Sequence, residues 1–145
     1  MLKKIEIIPI YINININPKV KLLNTLLESI KNNNQIIKNG DIIVIAQKII
    51  SKNEGRSVYL KYIIPSSRSI ELGRKINKDP RIVELILQES RKIVRVFNNT
   101  IITETRHGFI CANAGIDQSN VSKSKNRVLL LRLLTWHQAA LLHVA

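Results

Sequence analysis

Residues 103–121, TETRHGFICANAGIDQSNV, bring together a Glu, an Arg, a His, a Cys, two Asn, an Asp and two Gly. Short apolar runs at 101–102 and 109–112 stand on either side of residues that favour a turn. Gly108 has the backbone freedom to reverse the chain at Arg106 and His107. The segment therefore predicts two strands joined by a tight turn.

A loop of small and polar residues, 113–120, follows the second of these strands. Its glycine permits close backbone approach to a ligand, and Asp117 offers the hard oxygen that a divalent cation prefers. A strand end that delivers an acid and amides into such a loop suits a metal and phosphate site. A surface turn rich in Asn and Asp fits the same residues equally well.

Strand and helix patterns alternate through the rest of the chain. Residues 3–12 predict a strand, which Pro9 restricts to a sheet edge or a bulge. Residues 19–31 predict an amphipathic helix. Residues 42–46, IIVIA, predict a central buried strand, and residues 58–64 predict another strand that ends before a proline.

Two further helices are expected between residues 66 and 95. Ser66 or Ser67 caps a helix that runs through Ile76, and Asp79 with Pro80 opens the next one. Its apolar stripe comprises Ile82, Val83, Ile86, Leu87, Ile93 and Val94, and its solvent side comprises Arg81, Glu84, Glu89, Arg91, Lys92 and Arg95. The predicted class is α+β (mixed α and β), with a sheet of about five or six strands and about three helices.

Composition narrows the class of partner without selecting one. The 145 residues suffice for one domain or part of one, with a core of Ile, Leu and Val because aromatic residues make up only 4%. The net charge of +13 favours an anionic partner. No run of Lys or Arg exceeds two residues and no aromatic residues interleave with them, so a nucleic acid is disfavoured.

Individual candidate groups are also open to plainer interpretations. Cys111 is the single cysteine, which excludes an internal disulfide, and its place in a strand favours a small buried hydrophobe over a nucleophile. His107 at a turn is more typical of a structural or solvated histidine than of a base. Residues 1–17 alternate apolar and polar residues and lack the continuous apolar core of a signal peptide, so the cytoplasm is the default.

The exit of the predicted strand 42–46 carries two lysines. Lys48 and Lys52 are four residues apart and share a face if this stretch is helical. Ligand sites of α/β folds often lie at such strand ends, and an ammonium group neutralises phosphate charge as a point donor. Solvated lysines are the alternative interpretation for both.

Four stretches together resemble the amino-terminal half of the coenzyme F420-0:L-glutamate ligase family. They are SKNEGR at 51–56, KDPR at 78–81, ESR at 89–91, and ETRHG at 104–108 with ANAGIDQSN at 112–120. The resemblance spans about residues 3–130 in unbroken order, and its last motif is long. It implies a GTP-dependent ligase that adds L-glutamate by γ-linkage to the deazaflavin precursor F420-0, and an F420 ligase-like fold.

The resemblance also implies cofactors, partners and site residues. Members use GTP with Mn²⁺ or Mg²⁺, K⁺ being a further candidate, and form homodimers. Asp117 corresponds to a metal ligand, while no catalytic residue is assigned. The nucleotide-binding positions are Asn13, Ile14, Asn15, Ile16, Gln47, Lys48, Lys52 and Asn120. The family has a more apolar, proline-containing loop at 13–16, so this part of the correspondence is the weakest.

The last stretch, 128–145, reads VLLLRLLTWHQAALLHVA and lacks the Lys, Ile and Asn that dominate the preceding chain. We therefore expect a ligase-like domain at 1–127 and an atypical, non-homologous tail at 128–145, with truncation or a frame shift after about residue 130. Such a chain is expected to turn over little substrate alone. The alternatives are a basic anion- or nucleic-acid-binding module without catalysis and a non-catalytic remnant that pairs with itself.

Overall fold

A computed structural model describes residues 5–13, 15–118 and 126–131. The chain divides into two compact units, Met1–Gly55 and Arg56–Ala145. The described residues contain four α-helices and five strands, which confirms the α+β class, with one more helix than the sequence predicts. The five strands form two antiparallel sheets instead of one.

The first unit contains helices α1 (Leu22–Asn32) and α2 (Gln47–Asn53). Helix α1 is amphipathic and buries Leu26 and Ile30. The side chain of Asn33 follows α1 and donates to the carbonyl oxygens of Ser29 and Tyr11, at 2.7 and 3.2 Å. At the end of α2, Nδ2 of Asn53 donates to the carbonyl oxygen of Val20 at 2.7 Å. Asparagine side chains therefore hold both helices to the chain that precedes α1.

Neither strand predicted in the first unit is formed within the described residues, and residues 3 and 4 of the first one lie outside them. Residues 5–12 and 42–46 have no strand structure, and the side chains of Ile7 and Val44 are each 89% exposed. The prediction that residues 42–46 form a buried central strand is therefore wrong for this structure. A strand satisfies its backbone through a neighbouring strand, and no described residue pairs with either segment in a sheet.

The second unit begins with strand β1 (Ser57–Tyr59), a 3₁₀ turn (Leu60–Tyr62), and helices α3 (Ser67–Lys75) and α4 (Pro80–Glu89). Both predicted helix starts are confirmed. The Ser66 hydroxyl accepts from the Ser69 N–H at 3.3 Å, and Oδ1 of Asp79 accepts from the Arg81 N–H at 2.9 Å. Of the predicted strand 58–64, only Val58 and Tyr59 are extended in a ladder.

Helix α4 is shorter than its apolar periodicity predicts. It ends at Glu89, and strand β2 (Ser90–Phe97) continues directly from it. Ile93 and Val94, which the pattern placed on the helix, are therefore strand residues. Ile93 pairs with Thr103 of the next strand and packs against the core. β-Branched residues fit both patterns, and the ladder determines the outcome.

Strands β2, β3 (Thr100–Thr105) and β4 (Ile110–Ala112) form an antiparallel sheet in that order. Strand β5 (Arg127–Leu129) pairs with β1 in a second, two-stranded sheet. The buried core cluster of this unit lies among the helices and both sheets. It comprises Leu60, Ile76, Ile82, Val83, Leu85, Ile86, Ile101, Ala114, Ile116, Val128 and Leu130.

Candidate functional site

The hairpin between β3 and β4 forms as the sequence predicts. Gly108 has φ of +84°, and its N–H donates to the carbonyl oxygen of Thr105 at 2.9 Å. The Thr105 N–H in turn donates to the carbonyl oxygen of Phe109 at 2.8 Å. His107 is half-buried at this turn. The tight turn is thus closed by backbone bonds.

Asp117, the predicted metal ligand, is half-buried just before the interruption in the described chain. It forms an isolated antiparallel bridge with Leu129. Its N–H donates to the Leu129 carbonyl and its carbonyl accepts from the Leu129 N–H, both at 2.9 Å. Two backbone bonds therefore fix the Cα atom from which the carboxylate extends.

The predicted phosphate-contacting lysines lie together on helix α2. Lys48 and Lys52 are both half-buried and are separated by one helical turn, so they occupy the same face. Gln47 is exposed, and its Nε2 donates to the hydroxyl of the buried Ser51 at 3.2 Å. The condition that this stretch is helical is therefore confirmed, whereas contact with a nucleotide stays a prediction.

The other predicted nucleotide residues lie before α1 or outside the described residues. Asn13 and Asn15 are exposed, and Ile16 is buried with 6% of its surface accessible. Ile14 and Asn120 lie outside the described residues. A buried Ile16 side chain contributes to packing, so only its backbone is suited to contact a ligand.

Cys111 on β4 is half-buried, and burial raises the pKa of its thiol. A higher pKa leaves less thiolate at neutral pH, and the thiolate is the nucleophile. The raised pKa argues against a nucleophile, but Cys111 is half-buried and not the fully buried small hydrophobe that the sequence predicts.

Several charged residues that sequence reasoning placed in solvent have defined structural partners. The Glu84 carboxylate accepts from the Ser66 hydroxyl at 2.6 Å and from the Ser66 N–H at 2.9 Å. These hydrogen bonds, chiefly that from the hydroxyl, lower the pKa of Glu84 to about 2. Glu84 therefore joins α4 to the start of α3. Spacing gives no signal for this contact, because the two residues are 18 apart.

Glu89, predicted on the solvent side of its helix, is the second such residue, and its partner Arg56 belongs to another of the family-like motifs. The Arg56 guanidinium donates to Oε2 of Glu89 at 2.8 Å and to the carbonyl oxygen of Leu131 at 3.2 Å. Both side chains of the ion pair are about one-fifth exposed, at 21% and 20%. The arginine of SKNEGR and the glutamate of ESR are thus explained by structure, without a ligand.

Aromatic and cationic side chains do meet on the surface of the second unit, which sequence reasoning missed. The rings of Tyr59 and Tyr62 form an edge-to-face pair with centroids 6.1 Å apart. The Arg127 guanidinium lies 4.2 Å from the Tyr59 ring centre, and Lys61 Nζ lies 4.6 Å from that of Tyr62. The signal in the sequence was the tyrosine on each side of Leu60 and Lys61.

Asp117 suits a divalent metal in the chemistry of its donor, a half-buried carboxylate on a backbone held at both polar groups. Within residues 5–13, 15–118 and 126–131, no group of three or more His, Cys, Asp or Glu side chains is arranged to hold a metal. Mg²⁺ commonly binds through one or two carboxylates together with substrate phosphates and water. The single carboxylate of Asp117 is consistent with this mode of Mg²⁺ binding.

Across the described residues, no helix combines the length and the apolar character needed to span a bilayer.

The sequence profile of the F420-0:Gamma-glutamyl ligase family matches residues 12–133. The chain belongs to this family of ligases, and the ANAGIDQSN motif with the Asp117 bridge lies within the matched region.

Similar proteins include three named coenzyme F420:L-glutamate ligase. The protein of Methanocaldococcus jannaschii is 55% identical over 87 residues, which is 60% of this chain and 35% of that protein. That of Methanothermobacter thermautotrophicus is 47% identical over 66% of this chain and 38% of its own length. That of Methanopyrus kandleri is 40% identical over 82% of this chain and 45% of its own length. The chain thus spans less than half the length of these relatives.

Proposed function

We propose that this chain contributes the nucleotide and metal contacts of a ligase that joins L-glutamate to the deazaflavin coenzyme F420-0. Membership of the ligase family, through a match over residues 12–133, is the observation that carries the proposal. The relatives named above are coenzyme F420:L-glutamate ligases. The aligned part covers 35–45% of their length, so the activity of the whole protein is itself part of the proposal.

The reaction requires activation of a carboxylate. The γ-phosphoryl group of GTP passes to the carboxylate of the deazaflavin acceptor, which yields an acyl phosphate and GDP. The neutral amine of L-glutamate attacks the acyl carbon, an amide bond forms, phosphate leaves, and the amine proton passes to water. Positioning of the reactants and stabilisation of phosphate charge supply most of the rate in such transfers.

In this proposal Lys52 contacts the phosphates of GTP, and Gln47 and Lys48 contact the nucleotide. The support is their shared position on α2, with both lysines half-buried on one helical face. Partial burial strengthens the attraction between an ammonium group and a phosphate, because less water screens it. The backbone of residues 13–16 and Asn120 complete the proposed nucleotide contacts.

Asp117 binds the Mn²⁺ or Mg²⁺ that accompanies the phosphates. The bound metal supplies charge neutralisation at the phosphate oxygens. The Asp117 carboxylate holds this cation from a backbone that is itself hydrogen-bonded to Leu129.

A requirement for K⁺ and assembly as a homodimer belong to the same proposal. Light scattering tests the dimer, since a monomer mass contradicts it.

Titration of GTP into the purified chain, with and without Mn²⁺, tests the binding step. Binding should require Mn²⁺, and both Asp117→Asn and Lys52→Ala should weaken it by at least tenfold. Glu71→Gln on α3 and Lys31→Ala on α1 are exposed controls that should leave the affinity unchanged. Equal affinity in all four variants would reject the assigned contacts.

Ligase activity is tested separately with GTP, Mn²⁺, L-glutamate and F420-0. We expect little turnover from this chain alone, and robust glutamylation would contradict that expectation.

Binding of anionic polymers is a second candidate, favoured by the net charge of +13 and by the surface cluster of Tyr59, Lys61, Tyr62 and Arg127. Single-stranded nucleic acids bind to stacked aromatic rings flanked by cations. Such binding should fall steeply with salt and occur without a divalent metal. Metal-dependent binding of GTP with no retention of oligonucleotides would favour the ligase.

A further inference from the structure

The turn that leads to Asp117 has an unusual backbone. Asn113 and Ala114 each have φ of +52°, and Gly115 has φ of +70°, so three consecutive residues are left-handed. Glycine and asparagine tolerate this region, whereas an alanine there costs about 1 kcal/mol. Ala114 is nevertheless fully buried, with 0% of its surface accessible. Such strain persists only where the surroundings determine the conformation, and it often accompanies a functional site.

The side chain of Asn113 makes one of these determining contacts. Strand β4 ends at Ala112, which pairs with Ile102 of β3, so the register places Asn113 opposite Ile101. The Asn113 Oδ1 atom accepts from the Ile101 N–H at 3.2 Å. A side-chain amide thus provides the acceptor that a continuing strand would provide through its backbone. Because of this bond, the chain leaves the sheet after β4 while the Ile101 N–H of β3 still has a hydrogen-bond acceptor.

The other end of the turn is held equally closely. The Ile116 N–H donates to the Asn113 carbonyl at 3.0 Å. Asp117 follows immediately, with its two backbone bonds to Leu129. Only three residues lie between Asn113 and Asp117, and both ends of this short path are anchored. The location of the Asp117 carboxylate therefore depends on the conformation of Asn113.

We propose that Asn113 is a positioning residue, whose side-chain bond to β3 holds the left-handed turn that places the Asp117 carboxylate to bind a divalent cation. The metal part of this inference rests on the proposed function. Asn113 itself touches neither metal nor substrate. A residue that orients a metal ligand typically changes metal affinity by about 10- to 100-fold when it is replaced.

Substitution by glycine and by aspartate separates the two properties of Asn113. Asn113→Gly retains the left-handed backbone but removes the Oδ1 acceptor, whereas Asn113→Asp retains both an acceptor and tolerance of positive φ. Asn98→Gly is a matched control, because Asn98 also has positive φ, +49°, in the exposed β2–β3 turn. All three are compared with the unsubstituted chain after circular dichroism at 222 nm establishes that each is folded.

Two measurements on ¹⁵N-labelled protein test the inference. In amide hydrogen exchange, Asn113→Gly should lose at least tenfold protection at Asp117 and Leu129 while α3 keeps its protection. In titration with MnCl₂, paramagnetic broadening of resonances near Asp117 should require about tenfold more metal in Asn113→Gly. Asn113→Asp should need no more metal than the unsubstituted chain, and Asn98→Gly should match it in both measurements.

The outcomes distinguish this inference from the proposed function. Unchanged protection and unchanged broadening in a folded Asn113→Gly variant would overturn the positioning role alone. If the unsubstituted chain shows no broadening near Asp117, the metal-binding proposal fails and the metal part of this inference fails with it. If the same resonances broaden equally in Asp117→Asn and in the unsubstituted chain, the cation binds elsewhere. The metal-binding proposal and the metal part of this inference then both fail.

Discussion

Replacement of Gly73 by alanine tests the packing of α3 against the start of α4. Helix propensity alone predicts that this change stabilises the protein by about 0.8–1 kcal/mol, because Gly73 lies within a helix. The structure predicts the opposite. A Cβ atom at this position would lie 2.7 Å from the carbonyl oxygen of Lys78 and 3.3 Å from the Cα atom of Pro80.

The carbonyl of Lys78 has little room to move away from the added methyl group. The Lys78 N–H donates to the Gly73 carbonyl at 2.9 Å, and Pro80 begins α4 two residues later. Overpacking in such a site costs about 1–3 kcal/mol. Taking the upper part of this range and subtracting the propensity gain leaves a net loss of about 2 kcal/mol, equivalent to about 10 °C in Tm for a unit of this size.

Urea and thermal denaturation followed at 222 nm measure this loss. Glu71→Ala is the matched control, since Glu71 is exposed on the same helix, and its stability should change by less than about 0.5 kcal/mol. A Gly73→Ala variant that is as stable as the unsubstituted chain, or more stable, would refute the close approach of α3 to residues 78–80.

Three other substitutions test individual contacts by the same denaturation assay. Glu84→Gln should abolish a pH-dependent part of stability: the pKa is lowered from 4.5 to about 2, so this part is present above pH 4.5 and is lost as the pH falls towards 2. Ala114→Val should destabilise by at least about 2 kcal/mol, because a β-branched side chain meets both positive φ and a filled core. Arg56→Lys should cost about 1–2 kcal/mol at unchanged charge, since an ammonium group cannot reproduce the planar fork that reaches both Glu89 and the neighbouring carbonyl. If the stability difference between Glu84→Gln and the unsubstituted chain does not change with pH, the contact of Glu84 with Ser66 is contradicted. Unchanged stability of Ala114→Val or of Arg56→Lys would contradict the packing or the hydrogen bonds of that residue.

Local sequence signals predicted the parts of the fold that depend on neighbouring residues. The caps at Ser66 and Asp79 each bond to an N–H within three residues, and the hairpin at Gly108 is closed within five. Such contacts are determined by residue type and short spacing, so they could be identified from the chain alone. The same holds for α1, whose apolar spacing alone indicates its buried face.

Predictions that required a distant partner were less successful. Residues 42–46 have strong strand propensity, yet Ile42 and Val44 are 87% and 89% exposed and unpaired within the described sheets. Strand propensity describes a side chain that fits a half-buried pleated surface, and it does not supply the neighbouring strand. The end of α4 was misplaced for the related reason that Ile93 fits a helix stripe and a strand equally, and its pairing with Thr103 decides between them.

The candidate metal ligand, Asp117, depends both on local residue types and on contacts with distant residues. Residue type alone identified Asp117 as an oxygen donor after a strand, and Asn113 and Gly115 are the residue types that adopt left-handed turns most readily. Sequence could not show that Ala114 joins them at φ of +52°, because alanine avoids this region unless its surroundings impose it. Nor could it show the bridge to Leu129, twelve residues later in the chain. The backbone conformation at the candidate metal site is therefore held by contacts to β3 and to Leu129, whereas the Asp117 carboxylate supplies the oxygen ligand. The exchange measurements on Asn113→Gly test the contribution of the backbone contacts without changing this ligand.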